Sequence, residues 1–211
     1  MTDMSHWQKL FEEKARVLYP STDPSNDYRH ICRVVNMALK LAKEEGADIN
    51  TVLPAAFFHD CVNVSKNDPR RKEASRLSAE AAVEYLKSVN YPAQYFDAIK
   101  HAITAHSFSA NITAETAEAK VVQDADRLDG LGAVGVARCF TVSGLLARPY
   151  YCDDDAMAEH RTPDDKIYTI DHFFVKLFKT AETLQTATAR KEGQRRVAFM
   201  KDYLKQLQSE I

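Results

Sequence analysis

Apolar positions in this chain recur mostly at intervals of three and four, the spacing that lines one face of a helix. Trp7, Leu10, Phe11, Lys14 and Leu18 trace a first amphipathic helix, ended near Pro20. A polar turn from Ser21 to Asp27 leads into a second helix marked by Ile31, Val34, Val35, Ala38, Leu39 and Ala42, with Gly46 suited to its C-terminal cap. A third runs from about Asn50 through Phe58, and Pro54 reads as early enough to be tolerated in its first turn. Asn63 to Asp68 is a polar loop, and Asp68-Pro69 reads as an N-cap followed by proline at the first helical position. Helical patterns follow over Ser78 to Val89, Pro92 to His106 and Thr113 to Gln123, with Ser107 to Ile112 a loop between the last two. Gly130 and Gly132 allow a bend before Val134 to Leu146. Arg148 to Lys166, with Pro149, Pro163 and three successive aspartates, reads as a long exposed connection. Ile167 to Thr186 and Ala189 to Leu207 form a closing helical pair. Long alternating runs of Val, Ile and Thr are absent. The pattern predicts an all-α fold: a single globular helical bundle over residues 1–211, with a core over 27–146 and the closing pair over 167–207.

Composition narrows the function classes. The net charge of −2 gives no overall basic field, so a nucleic acid duplex is not an expected partner, though a local phosphate site remains compatible. The four cysteines, Cys32, Cys61, Cys139 and Cys152, are scattered without CxxC spacing, which argues against a zinc ribbon and for reduced thiols. Met1 to Gln8 is polar, and no apolar run approaches the roughly 20 residues that span a bilayer. A cytoplasmic protein without a membrane partner is the expectation. Oligomeric state stays open, a homodimer included.

The chemistry centres on Phe57-Phe58-His59-Asp60, where an imidazole and a carboxylate end an apolar run that begins at Val52. A buried carboxylate is costly unless paired, and a metal ion is the usual partner at such a place. Four residues stand at the edges of apolar helical segments: His30, His59, Asp60 and Asp124. Their nitrogen and oxygen donors suit divalent metals such as Mn, Fe, Co, Ni or Zn. His30 and Asp124 would come from two other helices packed alongside, leaving coordination positions open for water and substrate.

The order His30, His59-Asp60, Asp124 in a helical background resembles the HD-domain superfamily of metal-dependent phosphohydrolases. It is more closely similar to a small bacterial subfamily, through HDCVNVSKNDP at 59–69, SRLSAEAA at 75–82, HAITAHSFSA at 101–110, QDADRLDGLGAVGVAR at 123–138 and DHFFVKL at 171–177. The resemblance implies one divalent ion (Mn, Mg, Co, Ni, Fe or Zn) held by His30, His59, Asp60 and Asp124. It also implies attack of metal-bound water on phosphorus in a small-molecule phosphate substrate, often a nucleotide. One branch that this chain resembles acts as a nucleoside triphosphate pyrophosphohydrolase.

The phosphate tail needs cations and donors. Lys66 is the first candidate, with Asn67 beside it and Arg70 and Arg71 behind; His106 is expected at the cavity edge, against substrate or leaving group. Besides Asp60, Asp68 and Asp126 are candidate catalytic acids or bases; Asp68 also reads as a cap, and Asp126 and Asp129 as ion-pair partners of Arg127. Guanosine-alarmone hydrolases carry HDxxED, and Asn63 and Val64 stand at the two acidic positions here, which weakens that substrate reading. Two rival readings remain. One is an HD module that senses a nucleotide without cleaving it. The other is a dinuclear HD oxygenase or phosphodiesterase that also uses His101 and His106.

Overall fold

Eight consecutive residues, Thr51 to Phe58, are buried, so the helix that contains them has no solvent face. This helix, α3 (Ile49–Phe58), is contacted by α1 (Met4–Leu18), α2 (Tyr28–Glu45), α4 (Ala74–Ser88) and α5 (Phe96–His106). The computed structural model describes residues 4–19, 27–62, 64 and 68–211, apart from the side chains of Pro69, Arg71 and Ser109; among them there are helices and loops but no strand. The all-α expectation therefore holds. No single helix among the described residues is long and apolar enough to cross a membrane.

Local chemistry sets the helix ends that matter for the site. Asp27 caps α2 by accepting from the His30 backbone N–H at 2.9 Å, which fixes His30 in the first turn. Gly46 closes α2 in the left-handed region, at φ 69°, as its place in the sequence predicted. Asp48 caps α3. Pro54 lies six residues into α3, past the first turn where it was expected. A proline there removes the N–H that would bond the carbonyl four residues back, that of Asn50. The Tyr91 hydroxyl donates to this carbonyl at 2.6 Å, so the freed acceptor stays satisfied. At the other end, the Tyr19 hydroxyl donates to the Phe57 carbonyl at 3.0 Å, one of the acceptors that a helix C-terminus leaves over. Both ends of α3 are thus held before the chain reaches His59.

By backbone proximity the chain divides into two units, Met1–Asp126 and Arg127–Ile211, and the division falls inside α6 (Ala117–Asp129). In the second unit α7 (Gly132–Leu145) packs against α9 (Ala187–Gln208), which also meets α8 (Phe178–Glu182). A β-carbon on Gly135 would lie 2.2 Å from the Gly130 carbonyl oxygen, so α7 can turn back this closely only on glycine. The first helix of the closing pair is shorter than expected: a π-helical turn over Phe173–Leu177 precedes α8. The connection before it mixes exposed and half-buried positions and is pinned. The Thr169 and Ile170 N–H groups donate to the Pro149 and Tyr150 carbonyls. Asp171, fully buried, receives the Arg161 guanidinium and the Asp164 N–H.

Candidate metal centre

Four helices deliver polar side chains to one place in the first unit. His30 comes from the first turn of α2, His59 and Asp60 from the residues just after α3, His106 from the last position of α5, and Asp126 from α6. His30 Nε2 and His59 Nε2 lie 3.6 and 3.8 Å from the same Asp126 oxygen, Oδ1. His106 Nε2 lies 3.3 Å from Asp60 Oδ1. The His59 ring stands between the other two, with centroids 5.5 Å from His30 and 4.8 Å from His106. Two overlapping triads result, His30–His59–Asp126 and His59–Asp60–His106, each with donor atoms within 4.8 Å of one another.

The imidazoles are buried, while the Asp60 and Asp126 side chains each keep 31% of their surface. Nitrogen donors form the floor and carboxylates the open rim. His59 Nδ1 sits 2.9 Å from the Ala56 carbonyl, and His106 Nδ1 sits 2.5 Å from that of Ile103. A carbonyl only accepts, so both Nδ1 atoms carry the proton and donate. Burial, ahead of every neighbouring charge, lowers the His59 pKa and favours the neutral ring. Its Nε2 is then a lone pair, buried and without a hydrogen bond among the described residues. Burial also pulls the His106 pKa down, but the hydrogen bond and charge of Asp60, with Asp126 behind, outweigh it and leave the value raised.

This donor set fits a divalent ion. Ligand atoms that each stand ~2.1 Å from one ion are roughly 3.0–3.5 Å apart, and the cross-contacts of 3.3 to 3.8 Å come close to that spacing. The Nδ1–carbonyl bond of His59 is the outer contact that orients a ligating histidine.

Several sequence expectations change place. Asp126, expected as an acid–base candidate, stands beside His30 and His59 on the metal-facing edge. Asp124, the fourth ligand that the family resemblance implies, is fully buried in the same helix, α6. His106 stands inside the cluster rather than at its edge. His101 is outside it, its Nε2 accepting from the Glu115 N–H at 3.1 Å, so a two-metal site that needs both His101 and His106 loses one of them.

Asp68 accepts from the Arg70 N–H and guanidinium at 2.8 to 3.1 Å, which holds its pKa down at about 2. A carboxylate so committed is a poor proton acceptor; Asp68 acts as the cap of a 3-10 turn, Pro69–Glu73, and Arg70 as its partner. Lys66 and Asn67 lie outside the described residues. Asp129 pairs with Arg138 at 2.8 Å, and Arg127 donates to the Thr183 carbonyl.

Comparison with known proteins bears on the fold and the family. The profile of the HD domain family matches residues 27–131. The chain is 33% identical over 196 residues to YpgQ of Bacillus subtilis, covering 90% of this chain and 87% of that protein. The crystal structure of Bacillus subtilis YpgQ in complex with ADP aligns with a TM-score of 0.75 at 32% identity, over 97% of both chains. An HD-superfamily hydrolase from Bacillus thuringiensis aligns with a TM-score of 0.76 at 26% identity, over 98% of this chain and 97% of that one.

Proposed function

The chain belongs to the HD-domain family of metal-dependent phosphohydrolases, and on that premise we propose that its substrate is a nucleotide, cleaved at a phosphate anhydride or ester bond. The observation that carries the reading is the buried His59 Nε2, which has no hydrogen bond among the described residues and stands beside Asp60 and Asp126, whose side chains keep an open edge. The nucleotide part is supported by the ADP complex of a relative at 32% identity.

In this reading one divalent ion is held by His30, His59 and Asp60, with Asp124 and Asp126 of α6 the carboxylates that can complete the set. A divalent ion lowers the pKa of bound water and polarises a phosphoryl oxygen. The chain's own residues do the rest. Ala56 and Ile103 carbonyls hold the His59 and His106 rings in one orientation. His106 donates towards Asp60 and keeps that carboxylate at the rim, where phosphate arrives. Lys66 and Asn67 contact phosphate, on the strength of their place six and seven residues after Asp60. The cut is that of a nucleoside triphosphate pyrophosphohydrolase or of a phosphatase.

The test is an assay of purified protein with Mn²⁺, Co²⁺, Ni²⁺ or Mg²⁺ against nucleoside mono-, di- and triphosphates, separating pyrophosphate from phosphate. Release from at least one nucleotide is expected, with one ion per chain by elemental analysis. No release with any metal overturns the reading, and tight binding without release favours a sensor.

A further inference from the structure

The segment that leaves the cluster carries a large apolar ring in water. After His106 the chain becomes extended at Ser107, then makes one 3-10 turn, Phe108–Ala110. The Ala110 N–H donates to the Ser107 carbonyl at 3.3 Å and the Asn111 N–H to the Phe108 carbonyl at 3.4 Å, and Asn111 ends the turn in the left-handed region at φ 53°. Phe108 is 83% exposed, more than any other large hydrophobic side chain among the described residues. Nothing in its own turn requires an aromatic residue, and a polar one would avoid the exposed apolar surface.

Its position gives the ring a use. His106 Nε2 reaches Asp60 Oδ1, and the Phe108 α-carbon is at most roughly 7 Å from that of His106 by chain geometry. The ring therefore stands at the same end of α5 as the cluster. The Phe108 turn also packs against the Pro69–Glu73 turn, where Arg70 is locked to Asp68. A nucleotide joins a phosphate tail to a flat, apolar-faced base through a short sugar link. A phosphate at the His59–Asp126 cluster leaves its base near the cluster's exit.

We propose that Phe108 is a specificity-determining residue that stacks on the base of the substrate nucleotide. The inference rests on the nucleotide reading above. Stacking is tolerant of base identity, because every base presents a π-face. The contact therefore selects nucleotides over base-less phosphates more than one base over another. The turn's backbone hydrogen bonds fix where the ring is attached before substrate arrives, so the ordering cost on binding falls on the side chain.

The test compares wild type, Phe108→Ala and Phe108→Tyr on a nucleoside triphosphate and on inorganic tripolyphosphate, which has the anhydride bonds and no base. For Phe108→Ala, KM for the nucleotide should rise on the order of tenfold, with KM for tripolyphosphate unchanged. Phe108→Tyr should keep wild-type values. As a second measurement, Phe108→Trp should lose fluorescence on titration with ADP, over and above the wild-type signal from Trp7, and Phe108→Ala should bind ADP on the order of tenfold more weakly. An unchanged nucleotide KM and ADP affinity in Phe108→Ala, or equal shifts on both substrates, overturns the stacking role alone. A wild type that cleaves tripolyphosphate but neither cleaves nor binds any nucleotide overturns the nucleotide reading, and the inference with it.

Discussion

Two regions of the chain bury carboxylates beside cationic or basic groups, and they do so in opposite ways. In the second unit Asp171 has no exposed surface, and it receives both Arg161 Nη atoms at 2.5 and 2.7 Å and the Asp164 N–H at 2.5 Å. Arg161 also lies over the Tyr168 ring. Short, complete contacts leave that carboxylate nothing to offer a ligand. In the first unit Asp60 and Asp126 are less buried, yet their imidazole neighbours stand at 3.3 to 3.8 Å. Those distances are longer than a charge-assisted hydrogen bond and close to the spacing of ligands around an ion. The Arg161–Asp171 pair thus reads as structural, and carboxylates that keep an open edge beside imidazoles at ligand spacing read as the candidate functional ones.

The sharpest way to break this contrast lies within a single helix. Asp126→Ala should lower kcat/KM at least ~10³-fold, a loss of at least ~4 kcal/mol in transition-state stabilisation, with the far-ultraviolet circular dichroism unchanged. If Asp126 rather than Asp124 completes the ligand set, Asp124→Ala should instead lower stability by about 1–3 kcal/mol, the cost of removing a buried polar group from its partners, and retain metal. Elemental analysis and urea titration of both variants separate the cases. Loss of metal from the Asp124 variant alone would return the fourth ligand to Asp124.

The second unit offers the complementary test. Arg161→Met leaves Asp171 buried without its guanidinium, which should cost about 3 kcal/mol, the low end for a broken buried pair, because the Arg161 side chain keeps 22% of its surface. Chemical denaturation reads the loss. The metal content of the folded variant should match wild type; a drop in metal would mean that the Asp171 pair is not purely structural.

Metal removal should act only on the first region. An ion present at about 100 times its dissociation constant stabilises the folded chain by ~2.7 kcal/mol, so chelation should lower Tm and re-addition of Mn²⁺ restore it. Asp126→Ala should abolish that response and Arg161→Met retain it. An equal response in both variants would sink the division of roles.

The helical fold was legible because its signals are local. Periodicity and the glycine at 46 each act within a few residues. His30, His59 and Asp60 were legible for the same reason, standing where apolar faces end. The part that Asp124 and Asp126 each take was not. Asp124 lies between Val121 and Leu128 at helical spacing and Asp126 follows Val122 by four, and all three of these apolar residues are fully buried. Both faces of α6 point inward, so the pattern cannot say which one meets His30. The Arg161–Asp171 pair was illegible too, since its ten-residue separation crosses a loop with no period to read.

The smallest effect concerns a third kind of buried polar group, the Asn50 carbonyl that Pro54 deprives of its helical donor. If the Tyr91 hydroxyl replaces that donor, Tyr91→Phe should cost about 1 kcal/mol, the net worth of one hydrogen bond, or roughly 2–4 °C in Tm for a chain of this length. The ring would stay packed against Trp7 and Phe11, so the change isolates the hydroxyl. Pro54→Ala supplies the missing N–H from within α3, and in that background the Tyr91→Phe penalty should shrink, because the carbonyl would have a helical donor again. A double-mutant cycle measures the difference. Full additivity would show that the proline and the tyrosine do not share the carbonyl. A coupling would show that α3, which ends at the metal centre, keeps its proline only because a residue from between α4 and α5 closes the gap.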